Sequence, residues 1–178
     1  MTFQTFKNCV IAIALCMMAG VSIKAQEPSQ MQALIGRSLG KLQQQTPDAH
    51  LNCIAELKRV EAMFPDSIQP KYQMALQSLS FSVSNPKAEQ TENLLKEAEQ
   101  TIDKMEQMKG ADQSDVCTLR GFLYMVRIVQ DPAVNGQRYY MNVMQNYEKA
   151  LKINPNNQLA QQLQQKFLEG MKQATGSN

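Results

Sequence analysis

Apolar residues recur along most of the chain at the spacing of one face of an α-helix. Cys53, Leu57 and Val60, for example, follow one another at steps of four and three residues, which keeps their side chains on one side of a helix. Proline and glycine fall between such segments, whereas Ala, Leu, Met, Gln, Glu and Lys fill them. The pattern predicts helices over about 29–45, 47–64, 67–83, 87–109, 114–129, 138–153 and 158–173.

The stretch 121–129 is apolar on almost every side, and short apolar runs also occur in buried strands. No second segment offers it a strand partner, so a helix buried on two sides is the better interpretation. Thr46, Ser67 and Ser114 stand where helix caps are favoured. We therefore expect an all-α fold.

A short motif recurs at the ends of these predicted helices. Tyr147 is followed three residues later by Ala150, and Pro155 comes five residues after that. The aromatic side chain would fill the gap between paired helices, the small residue would let the next helix approach, and proline would end the helix. The same spacing returns at Leu57, Val60 and Pro65. A weaker copy begins at Leu95 and Ala98, with Asp103 in the place of proline.

This motif resembles the second half of a tetratricopeptide (TPR) repeat, and Gly121 with Tyr124 resembles the first helix of such a unit. The resemblance implies a TPR-like α-solenoid over residues 26–173, with about three degenerate helix pairs and a C-terminal capping helix. Pro65 and Pro155 are 90 residues apart, whereas two ideal units give about 68. The alternative is a generic helical bundle.

Residues 119–157 are similar to small exported bacterial TPR-like proteins of unassigned function. The similarity rests on Asp131 and Pro132, on an insert that carries Gly136, and on the helix segment Tyr147–Leu151. We expect the insert 131–138 to be a loop, because Asn135 and Gly136 favour a left-handed turn. Arg127 and Arg138 would flank this loop as a binding site. Alternatively, one of them pairs with Asp131 and only ties the loop down.

Residues 1–25 have the features of a secretory signal peptide. Lys7 precedes an apolar run of about 15 residues, and Ala25 precedes a polar turn. The run is shorter than the roughly 20 residues that span a bilayer, although an uncleaved anchor is the alternative. We expect export to the periplasm or the extracellular space and no transmembrane segment after cleavage. At the other end, residues 174–178 are expected to form a disordered tail.

The net charge changes once this leader is set aside. The chain has 18 Lys and Arg against 16 Asp and Glu, and the leader holds Lys7 and Lys24 and no acid. The remainder is therefore balanced, 18 − 2 = 16 basic against 16 acidic residues. A neutral domain argues against a general electrostatic grip on nucleic acid or anionic lipid.

The cysteines allow two interpretations. Cys53 and Cys117 are the two that remain after the leader. An oxidising compartment permits a disulfide between them, and buried free cysteines are equally compatible with their positions on inward helix faces. Spacing alone does not decide between these.

Few residues point to catalysis. His50 is the single histidine, no C-x-x-C or phosphate-binding glycine motif occurs, and no serine lies in a nucleophile elbow. We expect no catalytic, cofactor or metal site, with an enzyme whose site is unrecognised as the weakest alternative.

A protein–protein interaction module or scaffold fits better. The TPR register predicts a concave face that binds a peptide or partner helix, and the sequence offers it few of the Lys, Arg and Asn residues that grip acidic C-termini. The same residues could instead be core, and the alternative function is a structural subunit of a cell-envelope assembly. The predicted face consists of Tyr72, Leu76, Leu79, Thr118, Phe122 and Met125, with Gln69 and Asp115 beside them.

Overall fold

The computed structural model describes residues 29–175, and this part of the chain is entirely helical, without a strand. The predicted leader and residues 176–178 lie outside the described residues. A short 3₁₀ turn, Lys41–Gln44, follows the first helix. The helices of the described part are α1 (Gln30–Gly40), α2 (Pro47–Met63), α3 (Ile68–Ser84), α4 (Thr91–Gln107), α5 (Gln113–Gln130), α6 (Pro132–Ile153) and α7 (Gln158–Thr175).

Local chemistry explains several of the helix starts. The Thr46 hydroxyl accepts a hydrogen bond from the Ala49 amide at 3.1 Å, and Pro47 is the first residue of α2. Ser67 precedes α3 as predicted, but its side chain makes no capping bond. Asp112 caps α5 in place of the expected Ser114, because its carboxylate accepts from the Ser114 amide at 2.7 Å.

The expected loop at 131–138 is wrong, since these residues form the first turns of α6. Asp131 caps the helix by accepting from the Val134 amide at 3.2 Å, and Pro132 occupies the first helical position. Gly136 is therefore helical and makes no left-handed turn. Among the described residues, positive φ angles occur at Gln45, where the 3₁₀ turn ends, and at Gly110.

The helices pack in an alternating pattern. Each helix contacts the next one along the chain, most extensively in the pairs α3–α4 and α5–α6. In addition, α3 contacts α5, and α5 contacts α7. The odd-numbered helices from α3 onward thus lie side by side.

Among the described helices, α3 and α5 have the most buried residues. The apolar stretch 121–129 is a helix, and Phe122, Leu123 and Val126 are at most 1% exposed. Three serines of α3, Ser78, Ser80 and Ser82, are buried as well, and Ser82 donates to the Ser78 carbonyl at 2.7 Å. Such bonds to the preceding turn let small polar residues lie in a helix interior.

The motif residues of α6 lie inside this core. Tyr147 and Ala150 are fully buried. The Tyr147 ring lies against Gly121 of α5, and Ala150 belongs to a small cluster with Cys117 and Ala160 of α7. The aromatic and the small residue therefore occupy the contacts that their spacing predicts.

Both described cysteines are free and buried. Cys53 packs in a cluster formed by α1, α2 and α3, whereas Cys117 lies in a separate cluster near α7. Burial raises the pKa of the Cys53 thiol to about 12. It also raises the pKa of Cys117. Within residues 29–175 the structure thus corresponds to the second interpretation, two buried thiols.

None of the described helices combines the length and the apolar character needed to cross a membrane.

Candidate functional site

Most of the predicted concave face is core. Its buried members are no more than 5% exposed and offer a partner no surface in this arrangement; they are Leu76, Leu79, Thr118, Phe122 and Met125. The four apolar ones belong to the same core cluster as Leu159, Leu163 and Phe167 of α7. Contacts among α3, α5 and α7 therefore cover the side chains that the TPR register predicted would face a ligand.

Three other predicted residues line an open cleft. Gln69 and Tyr72 of α3 and Asp115 of α5 face a space of about 570 Å³. We call it the α3–α5–α7 cleft, because it lies where the N-terminal ends of these three helices meet. Its apolar lining includes Ile68 and Leu159.

Residues that the sequence analysis did not single out complete the cleft. They are the side-chain amides of Gln73, Asn154, Asn157 and Gln158 and the carboxylate of Asp112. For Asp112 and Asn157 a sequence signal was available, because they directly precede α5 and α7. Side chains at such positions point toward the open end of the helix.

A buried hydrogen-bond network around Asn157 holds the cleft together. The Asn157 Nδ2 donates to Ser114 Oγ at 2.9 Å, to Asp115 Oδ1 at 3.1 Å and to Thr118 Oγ1 at 3.3 Å. Its Oδ1 accepts from the Ala160 amide at 3.0 Å. Asn157 thus caps α7 and attaches it to α5, and the predicted site residue Thr118 takes part in this attachment rather than in binding.

The cleft is acidic. Its lining contains two carboxylates, Asp112 and Asp115, and no Lys, Arg or His. Burial raises the pKa of Asp115, the negative charge of Asp112 adds to this, and the Asn157 hydrogen bond opposes it. Burial and the same two carboxylates raise the pKa of Tyr72, so its phenol remains a neutral hydrogen-bond donor at physiological pH.

The amide groups at the rim have free hydrogen-bonding capacity. The side chains of Gln69, Gln73 and Gln158 make no hydrogen bond to another residue of the described chain. Each amide offers two N–H donors and a carbonyl acceptor. The cleft can therefore pair with both the N–H and the C=O groups of a bound chain.

A second cleft of about 600 Å³ lies between α4, α5 and α6 and contains Arg127. We call it the α4–α5–α6 cleft. Arg127 Nη1 pairs with Glu92 Oε2 at 2.6 Å, which lowers the pKa of Glu92. The Lys87 ammonium donates to the Gln130 carbonyl at 2.8 Å. Both cations of this cleft are thus already engaged within the protein.

Arg127 and Arg138 do not flank a loop, contrary to the prediction. Segment 131–138 is helical apart from its cap Asp131. Arg127 joins α5 to α4 through its ion pair with Glu92 and does not pair with Asp131. Arg138 is exposed on α6, and its guanidinium carbon lies 5.1 Å from the centre of the Tyr139 ring. That ring is stacked on Tyr124 at 5.4 Å. Arg127 is therefore engaged in an ion pair, whereas Arg138 lies against an aromatic ring of its own helix.

His50 lines neither cleft. It belongs to α2 and faces α3, with its ring 5.6 Å from that of Phe81 in an edge-on arrangement. Its Nε2 is buried without a hydrogen-bond partner among the described residues, and burial lowers its pKa. Residues 29–175 contain no group of three or more His, Cys, Asp or Glu arranged to hold a metal ion.

Comparison with known proteins returns no relative: no family model matches the chain, no curated protein matches it, and no solved structure matches it.

Proposed function

We propose that this protein is an exported, non-catalytic interaction module that binds an extended peptide segment of another protein in the α3–α5–α7 cleft. The observation that carries the proposal is the cleft itself, about 570 Å³ of open space bordered by free side-chain amides and Tyr72. The face predicted from the sequence lay along the middle of α3 and α5. The proposed site lies instead at the N-terminal ends of α3, α5 and α7.

The helix arrangement supports a TPR-like solenoid as the framework. Helices α3, α5 and α7 contact one another in sequence, as the first helices of successive TPR units do. Tyr147 packs on Gly121, and Ala150 clusters with Ala160 of the next helix. In such a framework the first helices of the pairs line the binding surface.

The chemistry of the cleft supports a peptide as the ligand. An extended chain presents N–H and C=O groups along its length, and the amides of Gln69, Gln73 and Gln158 can pair with both. The volume falls within the roughly 300–1,000 Å³ that is usual for binding clefts. Tyr72 adds an aromatic surface for a side chain of the peptide.

The non-catalytic part of the proposal rests on the lining. The titratable side chains there are Tyr72, Asp112 and Asp115. No imidazole or thiol lies among the lining residues, whereas acyl and phosphoryl transfer usually rely on such groups or on a metal. Export rests on the sequence pattern of residues 1–25.

The alternative role, a subunit of a cell-envelope assembly, has less support. Val134 and Met141 of α6 are 64% and 56% exposed and lie seven residues apart. Isolated exposed apolar side chains are ordinary on soluble domains. Elution of the protein as a stable oligomer in size-exclusion chromatography would favour the assembly role.

Selection from a random peptide library displayed on phage tests the proposal. We expect enriched peptides whose binding weakens about tenfold when Gln73 and Gln158 are both replaced by alanine. The matched control replaces Gln100 and Gln107, two exposed glutamines of α4 outside both clefts, and should leave binding unchanged. Failure to enrich peptides, or equal loss in both variants, would overturn the proposed function.

A further inference from the structure

We propose that the α3–α5–α7 cleft selects a peptide with a lysine or arginine side chain, whose cationic end lies against Asp112 and Asp115 while its aliphatic part contacts Tyr72. This inference rests on the proposed function and adds the chemistry of the partner.

The first argument is that these carboxylates have no cationic partner. Neither Asp112 nor Asp115 takes part in the ion pairs identified between described residues. The other cleft differs in this respect, because its Glu92 is paired with Arg127. Residues 26–178 are balanced in charge, so the acidity of this cleft is a local feature.

The second argument is that the negative charge of Asp112 disfavours that of Asp115. Asp115 is partly buried, and both its burial and the nearby Asp112 raise its pKa. A cation between them would offset this repulsion and supply charge-assisted hydrogen bonds. One oxygen of each carboxylate is available, since the bonds described use Oδ1 of Asp112 and Oδ1 of Asp115.

The third argument concerns the shape and polarity of the ligand. Lysine and arginine have an apolar stem and a charged end, and the cleft offers Tyr72, Ile68 and Leu159 beside its carboxylates. A cation over an aromatic ring is further stabilised by the ring electrons. A free metal ion would make no use of this apolar wall.

The helix N-termini at this cleft could instead attract an anion. At α5 and α7, however, three of these amides already have partners: those of Ser114 and Asp115 donate to Asp112, and that of Ala160 donates to Asn157. With no basic residue in the lining, an acidic peptide would meet two carboxylates and no counter-charge.

Fluorescence anisotropy with two labelled dodecapeptides tests the inference, one of alternating Lys and Ala and the other of alternating Glu and Ala. We expect the lysine peptide to bind at least about tenfold more tightly than the glutamate peptide. Replacement of both acids by asparagine (D112N with D115N) should remove most of this preference, and the helix cap survives because asparagine also caps well. Added salt should weaken binding to the wild type.

The control variant carries E89Q and E148Q, which remove two exposed acids outside both clefts and change the net charge equally. It should keep the lysine preference, and thermal unfolding should show that both variants are folded. Equal loss in the two variants, or tighter binding of the glutamate peptide, overturns the inference. If library peptides depend on Gln73 and Gln158 but not on the two acids, the charge inference fails while the proposed function stands.

Discussion

Gly121 of α5 and Tyr147 of α6 are in direct contact, and the contact requires a glycine. A Cβ atom built on Gly121 would lie 2.7 Å from Tyr147 Cε1 and 2.9 Å from Cδ1, closer than carbon atoms normally approach. Tyr147 is fully buried, and its hydroxyl lies 3.9 Å from Met125 Sδ. The aromatic ring thus fills the space that the missing side chain leaves between the two helices.

Replacing Gly121 with alanine should therefore destabilise the protein. Alanine favours helices over glycine by about 1 kcal/mol, but overpacking against a buried ring costs about 1–3 kcal/mol. We expect a net loss of stability in urea unfolding. The control is Gly136→Ala in α6, where a Cβ meets nothing within 4 Å, and this change should be stabilising. Similar effects of both substitutions would contradict the proposed contact.

Asn157→Ala should weaken the attachment of α7 to α5. The substitution removes the donor to Ser114 and Asp115 and the cap of α7, which should lower the free energy of unfolding by about 1–3 kcal/mol. Hydrogen exchange should accelerate first in α7. Asn156→Ala is the matched control, because Asn156 is exposed and should tolerate the change. Equal exchange in both variants would show that the network does not hold α7.

His50 should make stability depend on pH. Burial lowers its pKa in the folded protein, whereas the unfolded value is about 6.5. The unfolded chain therefore binds the proton more readily, so stability is full above about pH 6.5 and decreases as the pH falls below it. Urea unfolding of the wild type and of His50→Gln between pH 5 and pH 8 measures this. A constant difference between the two proteins across that range would contradict the prediction.

The ion pair between Arg127 and Glu92 should contribute little to stability. Glu92 is 66% exposed at its side chain, and exposed pairs are worth about 0.2–1 kcal/mol. A double-mutant cycle with alanine at both positions should give a coupling energy in this range that decreases with added salt. A coupling above 2 kcal/mol, unaffected by salt, would show that the pair is effectively buried.

The two buried thiols should resist alkylation in the native state. Burial keeps Cys53 and Cys117 protonated and shielded, and the thiolate is the reactive form. Peptide mapping by mass spectrometry after iodoacetamide treatment should find both modified after unfolding and neither modified before it. A disulfide-linked peptide pair without reduction would contradict the structure.

Much of the fold could be predicted from the chain because it depends on local interactions. Apolar spacing identified the helices, and Thr46 was found as a cap since its hydroxyl bonds an amide three residues away. The sequence also favoured a turn at Asn135 and Gly136, where the structure has a helix. There the cap at Asp131 and the proline after it outweigh the turn preference of two residues.

The candidate site was predicted only in part. Gln69, Tyr72 and Asp115 were identified from the helix register and line the cleft. Leu76 and Phe122 share that register but are core. Spacing identifies the face on which a side chain lies, and it carries no information about whether a distant helix covers that face.

By itself, the sequence determined an all-α fold and the position of most helix ends, because each depends on neighbours within a few turns. Only the tertiary structure decided that Cys53 and Cys117 lie in separate clusters, that Arg127 pairs with Glu92, and that the open cleft lies at the helix N-termini. Each feature depends on how helices distant in sequence pack together. The cleft, for example, depends on how α7 packs across α5, where Asn157 donates to Ser114 from 43 residues away, a contact that no local pattern encodes.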